Sequence, residues 1–176
     1  MTAVPPDHSL PDDQPAQPSN LSRDRLIAIH LDERSIRRTT RNVDQERDVA
    51  IFDILDSNSF ALLGHDDGPY KLTLGIVEER LALSIGNETT PELVTHMLSL
   101  TPLKRVMKDY FIICDSYFQA IRTLPPSKIE AIDRDRRGLH DEGSQLLLTR
   151  LDGKITLDAI TARRLFTLIC ALQWRG

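Results

Sequence analysis

At 176 residues, with 40% hydrophobic and 27% charged content, the chain is long enough to bury one core and too short to make two domains the expectation. Of its 26 acidic residues three, Asp7, Asp12 and Asp13, precede residue 23, which leaves 23 against all 22 Lys and Arg in the body. That near-neutral body argues against a general polyanion-binding protein, although it leaves room for a local basic patch.

Residues 1–22 hold five of the ten prolines, no Lys or Arg and few large apolar side chains. Such a segment cannot bury enough surface to offset its ordering entropy, so a disordered, acidic, Pro-rich tail is expected ahead of a single domain over residues 23–176. It also lacks the basic and apolar regions of a secretory signal. No stretch approaches the roughly 18 apolar residues of a membrane span; the most apolar one, Leu165 to Trp174, is ten residues long. Cys114 and Cys170 lie in apolar helical stretches away from metal-ligand spacings, and read as reduced core residues. These features lead to the expectation of a cytoplasmic protein that makes no use of a membrane.

In chain order, Arg25 to Asp32 alternates Ile27, Ile29 and Leu31 with Ala28 and His30 at the period of a strand. An Arg-rich connector with Arg34, Arg37, Arg38 and Arg41 leads to a helix over Asn42 to Leu55, for which Asn42 is the expected N-cap. Tyr70, Leu72, Leu74 and Ile76, then Leu81, Leu83 and Ile85, alternate as the two arms of an antiparallel hairpin. Residues 93–100 fit either a short helix or a strand, and a third hairpin-linked strand is the preferred reading.

Thr101 followed by Pro102 is a helix start, and Leu103, Met107, Tyr110, Cys114, Tyr117 and Ile121 then repeat every three or four residues, widened by Val106, Phe111 and Phe118. Pro125 and Pro126 end that helix; Ser127 and Glu130 form a capping box for the next, which either breaks near Gly138 and Gly143 or brings its backbone close to a neighbour there. Asp158 is the expected cap of a last, strongly apolar helix. Strands first and helices after them give the α+β class: a small antiparallel sheet of three or four strands packed by about four helices, concentrated in the C-terminal half.

Glu130, Asp133, Arg137 and His140 share one helix face if that helix is continuous. A carboxylate beside a histidine is the material of general acid–base or metal chemistry, and Asp141 and Glu142 add oxygen donors. This makes Asp133, His140 and Glu142 the candidate catalytic residues, although alternating charges on a helix more often form a solvated or interface face. Lys104, Arg105, Arg163 and Arg164 stand near helix N-termini, where cations oppose the dipole unless a carboxylate or bound anion compensates. With Arg137 they form the candidate anion-binding set; Asp133, Asp135 or Glu142 are the expected protein partners of Arg163 and Arg164.

His30, His65 and His96 read as core-edge or loop residues, and no phosphate loop, nucleophile elbow or metal motif is present. The stretches Ser99–Ile121, Pro125–Ile132, Arg136–Glu142 with Gly143, and Ala162–Gly176 resemble an uncharacterised protein family of alphaproteobacteria, most specifically in Arg136-Arg137-Gly138-Leu139-His140. The resemblance implies a bacterial cytosolic domain and carries no activity, cofactor or catalytic residue. The leading expectation is therefore a non-enzymatic protein-binding or regulatory domain, a homo-oligomer or the partner of another protein, with no cofactor and no metal. The alternatives are a small hydrolase or metal-assisted enzyme using Asp133, His140 and Glu142, and nucleic-acid or phosphate binding through the Arg-rich connector, which lacks interleaved aromatics.

Overall fold

The computed structural model describes residues 22–173; the expected tail, Ser22 apart, and Trp174 lie outside them. β1 (Leu26–Leu31) runs into α1 (Arg41–Asp56) and a short β2 (Phe60–Leu62), after which β3 (Tyr70–Val77) lies parallel to β1. A parallel neighbour requires such a crossover, so the sheet is mixed. Antiparallel pairing, as expected, joins β3 to β4 (Arg80–Gly86) and β4 to β5 (Val94–Ser99), in the order β1-β3-β4-β5. The ambiguous segment is thus an edge strand.

The turn between β3 and β4 holds Glu78 and Glu79 at φ 49° and 62°, the left-handed region that two-residue hairpins require and that Asn-Gly usually supplies. Lys104 pairs with Glu79 at 3.1 Å and anchors it. Alternation buries Leu72, Leu74, Leu81, Leu83 and Ile85 on one face of the sheet, and leaves Thr95 and Met97 exposed on the other.

α2 (Thr101–Thr123), α3 (Pro126–Leu151), β6 (Ile155–Leu157) and α4 (Ala159–Gln173) complete the chain, and β6 pairs antiparallel with β2. These two three-residue strands were not foreseen, being too short to show a period. α4 is central, with Leu165, Phe166, Leu168 and Ile169 almost wholly buried. Among the described residues no helix is long and apolar enough to cross a membrane.

The helix ends differ in detail from expectation. Thr40, not Asn42, caps α1 by accepting the Val43 N–H. Pro102 sits in the first turn of α2 as expected, but Leu100 occupies the cap position and Thr101 is already helical. α3 begins at Pro126 behind Pro125, which places Ser127 inside the helix, and its capping box with Glu130 does not form. Asp158 does cap α4, accepting the Thr161 N–H at 2.8 Å.

α3 runs unbroken through Gly138 and Gly143. A Cβ at Gly143 would lie 2.1–2.6 Å from carbons of the Phe166 ring, so this glycine is the close approach between α3 and α4.

Two arginines clasp α1 to α4. Arg47, 4% exposed, donates from Nε to the Ala171 carbonyl at 3.1 Å and from Nη1 to the Arg37 carbonyl at 2.9 Å, with Asp44 at 3.4 Å. Arg164 reaches back to the Asp53 and Ser57 carbonyls at 2.7 and 2.9 Å. Each helix thus places a guanidinium at the carboxyl end of the other, where unpaired carbonyls and the dipole favour a cation. Asn58 closes the same corner, accepting the Leu26 N–H and donating to the Leu26 and Ile54 carbonyls.

Candidate functional site

α4 packs between α1 and α3, and α2 packs on α3, so α1 and α2 rise as separate walls over an α4 floor. Between them lies an open groove of about 830 Å³. Val49 and Ala50 line it from α1, Phe111, Cys114 and Phe118 from α2, and Thr167, Cys170 and Ala171 from α4. Val49 is 52% and Phe118 60% exposed, and Phe52, one turn on from Val49, is 70% exposed. The apolar stripe foreseen on α2 is covered less and less along its length: Leu103, Val106 and Met107 are buried, Tyr110, Phe111, Cys114 and Tyr117 half-buried, and Phe118 and Ile121 exposed.

Glu46 and Asp53 on α1 and Asp115 on α2 are exposed lining residues and form no ion pair among the described residues. Arg136 is the cation of the lining; it lies 5.0 Å over the Tyr117 ring and is neutralised by Asp133 at 2.6 Å. Burial pushes the Cys114 thiol pKa up, and Asp115 and Glu46 add to this against the lowering effects of Tyr110 and Arg136. Burial also raises the Cys170 thiol and the Tyr110 phenol. Both thiols stay protonated at neutral pH, which makes them poor nucleophiles.

The candidate catalytic residues do not converge. His140 stands between Tyr110 and Phe166, both ring centroids at 5.4 Å, and its Nε2 is 2.7 Å from the Thr167 hydroxyl. That hydroxyl donates to the Arg163 carbonyl, so His140 donates through Nε2–H and its buried Nδ1 keeps an unpaired lone pair. Neither Asp133 nor Glu142 bonds to it. Asp133 holds Arg136 and, at 3.3 Å, Arg137, with Arg136 keeping its carboxyl below the usual range. Glu142 faces away, onto Arg105 at 2.7 Å.

The candidate anion-binding cations are likewise separated, each joined to a different group. Lys104 holds Glu79, Arg105 joins α2 to α3 through Glu142, Arg137 stays on its own helix with Asp133, and Arg163 joins α4 to α3 through Asp141. The expected partners of Arg163 and Arg164 differ from those found, which are Asp141 and the α1 carbonyls, because α1 rather than α3 lies beside Arg164. In the connector Arg34, Arg37 and Arg38 are exposed, with Glu33 3.2 Å from Arg38. Among the described residues no group of three or more His, Cys, Asp or Glu is placed to hold a metal ion.

Burial, then Arg163 and Arg136, lower the His140 pKa from 6.5 to about 4, so the folded protein binds this proton less readily than the unfolded chain. Stability is unaffected above pH 6.5, falls as the pH drops through the window, and levels off below about 4. Burial lowers His96 as well and adds in the same direction. Urea titrations at stepped pH should show His140→Gln losing less stability than the parent across this window. Identical acid sensitivity in the two proteins would refute the burial account.

The groove was missed in the sequence because it is made by the divergence of two helices; its trace there is the pair Val49 and Phe52 beside the buried stripe of α1. No solved structure is significantly similar to the chain. Its relatives include a UPF0262 protein of Brucella anthropi, 59% identical over 153 residues that cover 86% of this chain and 95% of the relative. Another, from Rhizobium meliloti, is 57% identical over 152 residues, covering 86% and 96%. The model of the uncharacterised protein family UPF0262 matches residues 23–175. The resemblance read from the α2 and α3 sequence is therefore a membership, and the chain belongs to the UPF0262 family.

Proposed function

We propose that the chain is a cytoplasmic, non-enzymatic protein-interaction domain whose recognition surface is the groove between α1 and α2. The observation that carries this reading is the pair of exposed apolar walls, Val49 on α1 and Phe118 on α2, over a floor already closed by α4. Contiguous apolar surface of this kind is rare on a face that water alone covers, and a cleft between two helices is a common seat for an apolar segment of a partner. Support also comes from the polar groups: His140 is neutral beside two rings, both thiols are held protonated, and Arg105 with Glu142 and Arg163 with Asp141 are engaged in tying helices together.

A photo-crosslinking amino acid placed at position 118 in cells expressing the protein should give discrete protein adducts. The same residue at position 154, away from the groove, should not give them, and Val49→Asp should abolish them. Adducts that persist unchanged in Val49→Asp, or none at all, would overturn the reading.

A further inference from the structure

We infer that the groove is filled by the tip of the α2–α3 hairpin of a second copy of this chain. The inference rests on the groove being a protein-binding surface. The tip is the part of the molecule most in need of cover: between residues 118 and 131 only Ala120 is buried and Ile129 half-buried. Phe118, Ile121 and Leu124 are 60%, 48% and 38% exposed there. Among the described residues α3 is the element that packs extensively on α2.

Charge complements shape. Over residues 118–130 the tip carries Arg122 and Lys128 against one acid, Glu130, and none of the three forms an ion pair among the described residues. Arg122 stands one turn beyond Phe118, on the same side of α2. The groove carries the opposite sign, with Glu46, Asp53 and Asp115 unpaired and Arg136 already neutralised by Asp133. An apolar tip flanked by cations and an apolar groove flanked by carboxylates satisfy each other. A two-fold axis makes the exchange reciprocal, so one self-complementary patch serves both copies.

Sedimentation of the full chain should show a dimer that weakens with added salt. Reversing the tip with Arg122→Glu and Lys128→Glu, both exposed, should weaken dimerisation about tenfold or more without changing the circular dichroism. Adding Glu46→Lys, Asp53→Lys and Asp115→Lys to that double variant should restore the dimer. A monomer at every concentration, or a dimer indifferent to tip reversal, overturns the proposal. Dimer loss that the groove reversals fail to restore overturns the groove as its seat. If the chain is monomeric but position 118 still crosslinks another protein in a Val49-dependent way, the second-copy inference falls while the protein-interaction reading stands.

Discussion

Arg47→Ala is expected to destabilise the molecule by about 3–5 kcal/mol in urea unfolding, a large share of the stability of a domain this size. The side chain is 4% exposed and satisfies the Ala171 and Arg37 carbonyls, the first of which would be left buried without a donor. A buried orphan acceptor costs about 1–3 kcal/mol, and the vacated volume adds to it. Arg47→Met retains the packing of the stem and isolates the hydrogen-bond part of the loss. Arg164→Ala removes the opposite arm of the clasp, but water reaches that site, so about 1 kcal/mol is expected. Equal losses at the two arginines would contradict the role given to burial.

The second large effect lies in α3, where two glycines five residues apart should respond to alanine with opposite signs. Nothing lies within 4 Å of a Cβ built at Gly138, so Gly138→Ala should stabilise by about 0.5–1 kcal/mol through helix propensity. At Gly143 the same methyl would run into the Phe166 ring, which is fully buried and hemmed by Tyr110 and His140. The ring cannot swing aside without displacing its neighbours. A net destabilisation of about 1–3 kcal/mol is therefore expected despite the better helix former. Thermal denaturation of the two variants side by side is the measurement; stabilisation at both positions would mean that α3 and α4 do not approach as described.

Both effects show where sequence reasoning reached and where it stopped. Periodicity located β1, the β3–β4 hairpin, α1 and α2, because each turns an apolar face to the core, and the Asp158 cap with a run of apolar residues located α4, which is buried nearly all round. It also marked Gly143 as a break or a close approach, and only packing decides between those. The cap assignment at Asn42 slipped because several polar residues cluster at the start of α1, and the one not helical, Thr40, becomes the cap; that at Ser127 slipped because Pro126 already takes the first helical position and leaves Pro125 at the cap. β2 and β6 hold each other across most of the chain, so neither carries a local signal.

The candidate site was less legible for a related reason. Glu130, Asp133, Arg137 and His140 do share a continuous helix, yet Asp133 and His140 are seven residues apart, about 10 Å along the axis, and each finds a nearer partner. Lys104, Arg105, Arg163 and Arg164 were recognised as cations misplaced with respect to their own helix dipoles. Apart from Asp109, four residues beyond Arg105 on the same helix, what compensates them is tertiary: Glu79, Glu142, Asp141 and the carboxyl end of α1. The groove itself is a gap between elements, and a gap has no residues of its own to read.

The arginine clasp also bears on how the chain comes off the ribosome. α1 is synthesised early, but Ala171 follows Arg47 by 124 positions and Arg164 follows Asp53 by 111. The carboxyl end of α1 and the buried guanidinium of Arg47 cannot be satisfied until almost the whole chain has been translated, whereas β3, β4 and β5 pair with neighbours close in sequence. A nascent chain stalled before α4 would present the apolar side of α1 uncovered, and the protein becomes resistant to proteolysis only with its last helix.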